Sequence, residues 1–274
     1  MTLHKTSERG MPDDFESTED FINHLRHCYA YEQGKSYLSP SDRVVELGCG
    51  EGYGSTILSP ACDRVLAFDV DADTVRHAME KYGGENREYR LYDGRTTQAD
   101  DEQFEAAVSF QVIEHVEDDA NFVSEAHRLL KKGGVFVVTT PNRLYRLKPG
   151  QTPWNTFHVR EYDANGLALL LGNTFADVRV HGIKGDEEIQ RIELDRVRRI
   201  RRLVSIDPLN VRRLLPMSLL RGFADFARKA MFGGSKALKP TAVAALSKQF
   251  SVGDFHIEDA PSTESLDLLA VCRK

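Results

Sequence analysis

Residues 42–54 read D-R-V-V-E-L-G-C-G-E-G-Y-G, and the fold is read outward from them. Val44, Val45 and Leu47 are apolar and two of them are β-branched, which predicts a short buried strand. The strand runs into Gly48, Gly50, Gly52 and Gly54, four glycines at alternate positions. A turn without side chains accepts positive φ and lets a ligand approach the main chain. A helix over Tyr53–Leu58 then aims its first amides at that space. Glu46 closes the strand, at the edge where an open α/β sheet binds ligands.

The dinucleotide fingerprint needs a glycine three residues after Gly50, where this chain has Tyr53. The spacing Glu-x-Gly-x-Gly-x-Gly resembles instead the first motif of class I S-adenosylmethionine (SAM) methyltransferases. The resemblance implies that Glu46 meets the methionine end of the cofactor, with its ammonium group, and that Gly48, Gly50, Gly52 and Tyr53 line the site. Charge argues the same way independently, since a carboxylate attracts a cation and repels a pyrophosphate. The NAD-dependent oxidoreductase is the rival enzyme class.

Downstream, strands and helices alternate. Arg64–Val70 is a second strand closed by Asp69, 21 residues past Gly48, the spacing of an acid that accepts the ribose hydroxyls. Val70 is expected beside the adenine. Asp71 or Asp73 caps a helix over Thr74–Tyr82. Arg87–Tyr92 is a third strand. Asp93-Gly94 after it is a turn signal, and the resemblance makes the pair an adenine contact. Phe104–Gln111 is a fourth strand leading into Val112-Ile113-Glu114-His115-Val116, which resembles the family's fourth motif in its small-molecule branch. Gln111 and Val112 then line the cofactor, and His115 is a base, an orienting group or a structural histidine. Asp119–Lys131 is an amphipathic helix ended by Gly133-Gly134, and Val135–Thr140 is an apolar fifth strand. Five strand–helix alternations predict a parallel sheet covered on both faces.

The acceptor side is read from three segments. A helix is expected over Glu16–Tyr37, capped by Ser17 or Thr18. The resemblance implies that it covers the cofactor and makes Tyr29 (with His24, His27 and Tyr31) a candidate substrate contact, the alternative being surface histidines and core tyrosines. Thr140-Pro141-Asn142-Arg143, followed by Phe157-His158-Val159-Arg160-Glu161-Tyr162, resembles a bacterial methyltransferase subgroup associated with sugar and cell-surface glycan pathways. Asn142, Trp154 (the chain's only tryptophan) and Arg160 are candidate acceptor contacts. His158 is the candidate general base, its ordinary pKa of about 6.5 suiting proton removal from a hydroxyl. The competing reading has His158 and Arg160 fastening the loop.

Asp163–Leu171 is a helix, Thr174–Gly182 a sixth strand and Thr263–Cys272 a last, antiparallel one. The expected fold is thus a Rossmann-like α/β sheet of seven strands, mostly parallel. Residues 1–14 are expected to be a disordered tail, 15–183 the core with its N-terminal helix, 184–262 a helical insertion, and 263–274 the last strand. Residues 189–240 carry 13 Lys/Arg against 4 Asp/Glu, a local +9 in a chain of net −6. Ile189, Ile192, Val197, Ile200, Leu203 and Val204 form one helical stripe among arginines; Leu219, Leu220, Phe223, Phe226, Ala227 and Ala230 form another. Such helices cap an acceptor pocket, lie on an anionic membrane, or bind nucleic acid. Nucleic acid is disfavoured, since stacking aromatics are missing from the arginine-rich part and the remainder is acidic. Phe250–Ala260 reads as an extra strand or as loop.

Four scattered cysteines read as free thiols in a reducing cytoplasm. No apolar run reaches membrane-span length, and residues 1–12 lack a signal core. The expected location is cytoplasmic, with peripheral contact on the inner membrane face through 189–240. No His/Asp/Glu cluster at ligand spacing is visible, so no metal is expected. The expectation is a SAM-dependent methyltransferase acting on a hydroxyl of a free, nucleotide-linked or lipid-linked sugar. An amine, a quinone-type phenol and a non-catalytic membrane-tethered binding role are the alternatives.

Overall fold

The computed structural model describes residues 15–155, 157–204 and 237–274. The tail over 1–14 and the second basic stripe, Leu219–Ala230, lie outside the described residues. Eight strands form one sheet in the order β3-β2-β1-β4-β5-β8-β6-β7. These are β1 Arg43–Leu47, β2 Arg64–Asp69, β3 Arg87–Leu91, β4 Phe104–Phe110, β5 Leu130–Pro141, β6 Asp177–Gly185, β7 Phe255–Glu258 and β8 Asp267–Arg273. β1 pairs in parallel with β2 and β4, with Val45 facing Leu66 and Ala107 in the ladder. β8 runs antiparallel between β5 and β6. The order reverses at β1/β4, which puts the ligand crevice at the carboxyl ends of those two strands.

The apolar strands are buried on both faces, which is why they read as continuous hydrophobic runs. Val44, Val65, Ala106 and Val137 pack toward one side with Ile22, Leu58 and Ala78. These come from α1 (Thr18–Lys35), α2 (Tyr53–Leu58) and α3 (Ala72–Tyr82). Val45, Leu66, Ala107 and Phe136 face the other side, against Phe122, Leu129, Leu167 and Leu171. Those residues lie on α4 (Asp119–Leu129) and α6 (Ala164–Gly172); the short α5 covers Arg143–Arg146. The caps follow the sequence: Ser17, Asp71 and Asp163 accept amides from Asp20, Thr74 and Gly166, each worth about 1 kcal/mol.

Three expectations are corrected. The sheet has eight strands, not seven, because Phe255–Glu258 pairs antiparallel with β6 (Ile183 facing Ile257) and turns the ambiguous segment into an edge strand. The helix from Asp119 ends at Leu129, since Leu130 pairs with Phe104 and β5 has begun; Gly133, at φ +79°, bends that strand instead. The last strand starts at Asp267, not Thr263.

The first basic helix, α7 (Glu187–Val204), is docked on the core. Ile189, Val197 and Glu193 are fully buried. Glu193 meets Arg26 of α1 at 3.3 Å and Arg196 at 2.6 Å, and Arg26 reaches Asp267 of β8 at 2.9 Å. Pairing makes the burial of these charges tolerable, and removing one partner from such a set costs about 3–5 kcal/mol. Arg201 donates to the carbonyls of Tyr145 and Arg146, and Arg199 pairs with Glu19. Arg196 and Arg201 are thus turned toward the core, while Arg191, Arg198, Arg199 and Arg202 stay exposed. A last helix, α8 (Pro240–Gln249), follows in the chain. No helix among the described residues is long and apolar enough to cross a membrane.

Candidate functional site

The glycine turn is tied down by its own amides. Gly48 N and Cys49 N donate to the Phe68 carbonyl at 2.8 and 2.9 Å. Gly50 N donates to Asp69 Oδ2 at 2.9 Å. A Cβ on Gly50, at φ +51°, would meet nothing within 4 Å, so that corner of the turn faces open space. A Cβ on Gly48, at φ +82°, would strike Val112 at 2.5 Å. Val112 therefore lies over the turn, joining the ends of β1 and β4.

Glu46 sits beneath the turn, 1% exposed. Its Oε1 accepts Tyr31 Oη at 2.6 Å and its Oε2 accepts Ser55 Oγ at 2.5 Å. Burial raises its carboxyl pKa, against the two hydrogen bonds, which lower it. Tyr31 and Ser55 were not singled out with Glu46 in the sequence. Tyr53 packs on α1, its ring 5.0 Å from His24 and 6.0 Å from Tyr31.

At the end of β2, Asp69 Oδ1 accepts the Asp71 amide at 3.1 Å while Oδ2 holds Gly50. A carboxylate has about four acceptor positions, so capacity remains for a diol. Val70 is 59% exposed. Gly94, at φ +78°, would put a Cβ 3.3 Å from Val70 Cγ1, so the two residues lie side by side. Asp93 is exposed. Amides of Thr96 and Arg95 bond its carboxylate and hold its pKa below the usual range.

Gln111 follows β4 with φ +58°, its amide bonded to the Thr139 carbonyl and its side chain to Thr139 Oγ1. A non-glycine residue in the left-handed region is uncommon and marks a constrained turn. That turn delivers Glu114 and His115. Opposite them, the loop after β5 delivers His158, which is 3% exposed. The two rings stand 4.8 Å apart at 88°. Glu114, His115 and His158 each offer a ligand atom within 4.8 Å of the other two. The sequence reading saw no such cluster, because 43 residues separate the two histidines and no ligand spacing links them.

His158 is backed by Glu161, with Nδ1 to Oε1 at 2.9 Å. Arg146 Nε lies 3.2 Å from the same oxygen, and the Arg146 guanidinium lies 4.8 Å from the centre of the Trp154 ring. Trp154 thus belongs to the scaffold of His158. Arg160 donates to the carbonyls of Val116 and Glu117 and pairs with Asp119 at 2.5 Å, so it fastens the loop to the β4 turn. Asn142 is 1% exposed. Its Oδ1 accepts the Leu144 amide and its Nδ2 donates to the carbonyls of Ser262 and Ser265, which commits the side chain to the fold. Tyr29 packs in the core, its ring 5.8 Å from Phe255. Of the expected acceptor contacts, Asn142 and Tyr29 have partners within the fold, and Ser262, Ser265 and Phe255 among these lie more than 100 residues away in sequence.

A Rossmann-like sheet, parallel through β5 and with β8 running antiparallel between β5 and β6, is a methyltransferase-type fold. Residues 45–138 match the Methyltransferase domain family. A probable S-adenosylmethionine-dependent methyltransferase of Mycolicibacterium smegmatis is 40% identical over 170 residues, 62% of this chain and 63% of the relative. One of Mycobacterium tuberculosis is 36% identical over 185 residues, 66% and 64% of the two chains. The chain thus spans a little under two thirds of these relatives. A ubiquinone biosynthesis O-methyltransferase of Methylobacterium is 31% identical over 46% of this chain and 53% of its own. Among solved structures, the [4+2]-cyclase SpnF superposes with a TM-score of 0.55 at 15% identity, covering 90% of this chain and 81% of its own. A SAM-dependent methyltransferase of Thermotoga maritima gives 0.53 at 16%, covering 93% and 97%. These structures share the fold, and the domain match with its relatives makes S-adenosyl-L-methionine the cofactor.

Proposed function

We propose that this chain transfers the methyl group of SAM to a hydroxyl of a phosphate-linked sugar, one carried on a nucleotide or a lipid. The observation that carries the reading is the turn itself: Gly50 opens on free space with its amide held by Asp69, beside the exposed Val70. In this reading the methionine end of SAM lies over Gly48–Gly52 above Glu46. The ribose meets Asp69, and the adenine lies against Val70 and Gly94 near Asp93, with Gln111 and Val112 along the cofactor's edge. The acceptor oxygen attacks the methyl carbon in line with the departing sulfur. The C–S bond electrons go to sulfur, the O–C bond forms, and the hydroxyl proton leaves at the His115/His158 pair. SAM is already activated, so alignment and exclusion of water supply most of the rate.

The phosphate-linked acceptor is supported by a pocket of about 260 Å³ lined by Lys148, Arg198, Arg201 and Arg202. Arg201 bonds the Arg146 carbonyl, and Arg146 lies against Glu161 behind His158, so the basic pocket adjoins the loop carrying the candidate base. The ubiquinone O-methyltransferase relative favours a phenol as the second reading. A calorimetric titration with S-adenosylhomocysteine, SAM and NAD tests the cofactor half. Mass spectrometry of nucleotide-sugars, lipid-linked sugars and hydroquinones incubated with SAM tests the acceptor half. A methyl gained only by the hydroquinone, or tighter binding of NAD than of SAM, would refute the reading.

A further inference from the structure

The imidazoles of His115 and His158 are each held from behind through Nδ1. His115 Nδ1 lies 3.0 Å from the Phe157 carbonyl oxygen, which only accepts, so this nitrogen carries the proton. His158 Nδ1 lies 2.9 Å from Glu161 Oε1, with Arg146 on the same oxygen. A neutral ring held in this way at Nδ1 has its lone pair on Nε2. An imidazole tethered at one nitrogen by a carbonyl or carboxylate, with its lone pair on the other, is the form in which proteins present histidine to metal ions. The perpendicular rings do not stack on each other; their centroids are 4.8 Å apart.

The third donor is as firmly held. Glu114 is 1% exposed, its Oε2 accepts Thr140 Oγ1 at 3.0 Å, and its carbonyl takes the Val159 amide at 2.8 Å. The last bond ties the Glu114 main chain to the residue after His158, so loop and turn move together. We propose that Glu114, His115 and His158 bind a divalent transition-metal cation. Two imidazoles with one carboxylate form a donor set suited to zinc and its neighbours, and three protein ligands leave coordination positions open for a substrate oxygen. Donors on a tetrahedral zinc stand about 3.4 Å apart. One ligand atom of each residue already lies within 4.8 Å of the other two, and side-chain rotation would close the difference.

The role of the cation rests on the methyl-transfer reading; its binding does not. The trio begins two residues past Val112, which covers Gly48, so in the methyl-transfer reading a cation there would stand beside the glycine turn that takes the cofactor. With the cation bound the two imidazole lone pairs are taken, so an acceptor hydroxyl on it would be acidified and would lose its proton to solvent instead of to the histidines. Its oxygen would take the methyl group as the C–S bond breaks and the electrons return to sulfur.

The test uses the full chain stripped with EDTA and titrated with Zn²⁺ by calorimetry and with Co²⁺ by visible absorption, without SAM or acceptor. One equivalent is expected to bind. His115→Ala and His158→Ala each weaken binding by about 100-fold or more, and Glu161→Gln, acting through His158, by about 10–100-fold. S-adenosylhomocysteine binding is measured in parallel to verify the fold of each variant. Anomalous scattering from a Zn²⁺-soaked wild-type crystal gives a reading that needs no variant, with a peak expected between the three side chains. Failure of the wild type to take up stoichiometric metal, a peak elsewhere, or full affinity in folded histidine variants would overturn the site. Full-rate methylation by metal-free protein would overturn the role given to the cation. Metal binding without methylation of any acceptor would instead refute the proposed function and leave the site standing.

Discussion

Asp69→Asn separates the two tasks the structure gives this carboxylate. Each oxygen accepts a backbone amide, Gly50 N at 2.9 Å and Asp71 N at 3.1 Å. Asparagine has one acceptor oxygen, so whichever way its amide is turned, an NH₂ group faces an N–H. One largely buried donor is left unpaired, for about 1–3 kcal/mol of stability. The ribose loses a charged acceptor for two hydroxyls. With about 1.5 kcal/mol or more for each charge-assisted bond, S-adenosylhomocysteine binding falls by about 3 kcal/mol, near 150-fold. The two effects are read separately, by urea denaturation without ligand and by calorimetry well below the unfolding range. Adenosine alone, which keeps the diol and lacks the methionine end, should lose about the same factor. Affinity within about twofold of wild type for both ligands, in a folded protein, would refute the assignment of Asp69 to the ribose.

The hydroxyl of Tyr31 bonds Glu46 at 2.6 Å while its ring packs edge-on against Phe110, so Tyr31→Phe removes the bond alone. A loss of about 1.5–3 kcal/mol is expected in chemical denaturation, with weaker SAM binding; unchanged values for both would show Glu46 to be indifferent to its partner. At Gly54 an added Cβ would fall 1.9 Å from Tyr31 Cζ, whereas at Gly50 it would meet nothing within 4 Å. Gly54→Ala should therefore lower the melting temperature strongly, whereas Gly50→Ala meets no clash, carries only the left-handed backbone cost of about 1–2 kcal/mol, and should remove cofactor affinity; the opposite pattern would misplace the site. His27 is partly buried, and loss of hydration, then the charges of Arg26 and His24, lowers its pKa from 6.5 to about 3. The folded chain then resists a proton that the unfolded chain accepts below 6.5. Stability contributed by His27 is complete above pH 6.5 and is lost as pH falls toward 3, by at most about 1.4 kcal/mol per pH unit. Urea denaturation of wild type and His27→Gln across pH 4–8 checks this, since the variant should show a shallower fall.

The elements that carry the cofactor reading were legible in the sequence because their causes are local. Val44, Val45 and Leu47 form a strand because such residues fill a sheet buried on both sides. The glycines after them mark a turn that side chains would obstruct, and Ser17, Asp71 and Asp163 cap helices a few residues away. Asp69 was legible for the same reason: its place follows from counting along one strand–turn–helix–strand unit. Other features depend on contacts that no spacing encodes. Phe255–Glu258 becomes a strand only because β6, some 70 residues earlier, offers an unpaired edge. Arg26, Glu193 and Asp267 look like surface charges one at a time and are stable inside only together. Glu46 is positioned by Tyr31 and Ser55, and the Glu114–His115–His158 trio forms where two loops at the carboxyl ends of β4 and β5 meet. The sequence by itself determined the strands, the turns and the kind of ligand the turn admits, since backbone sterics and apolar burial act over a few residues. Tertiary structure alone decided which polar side chains face one another, because bringing them together requires the chain to close long loops, and packing of the intervening core supplies the free energy for that.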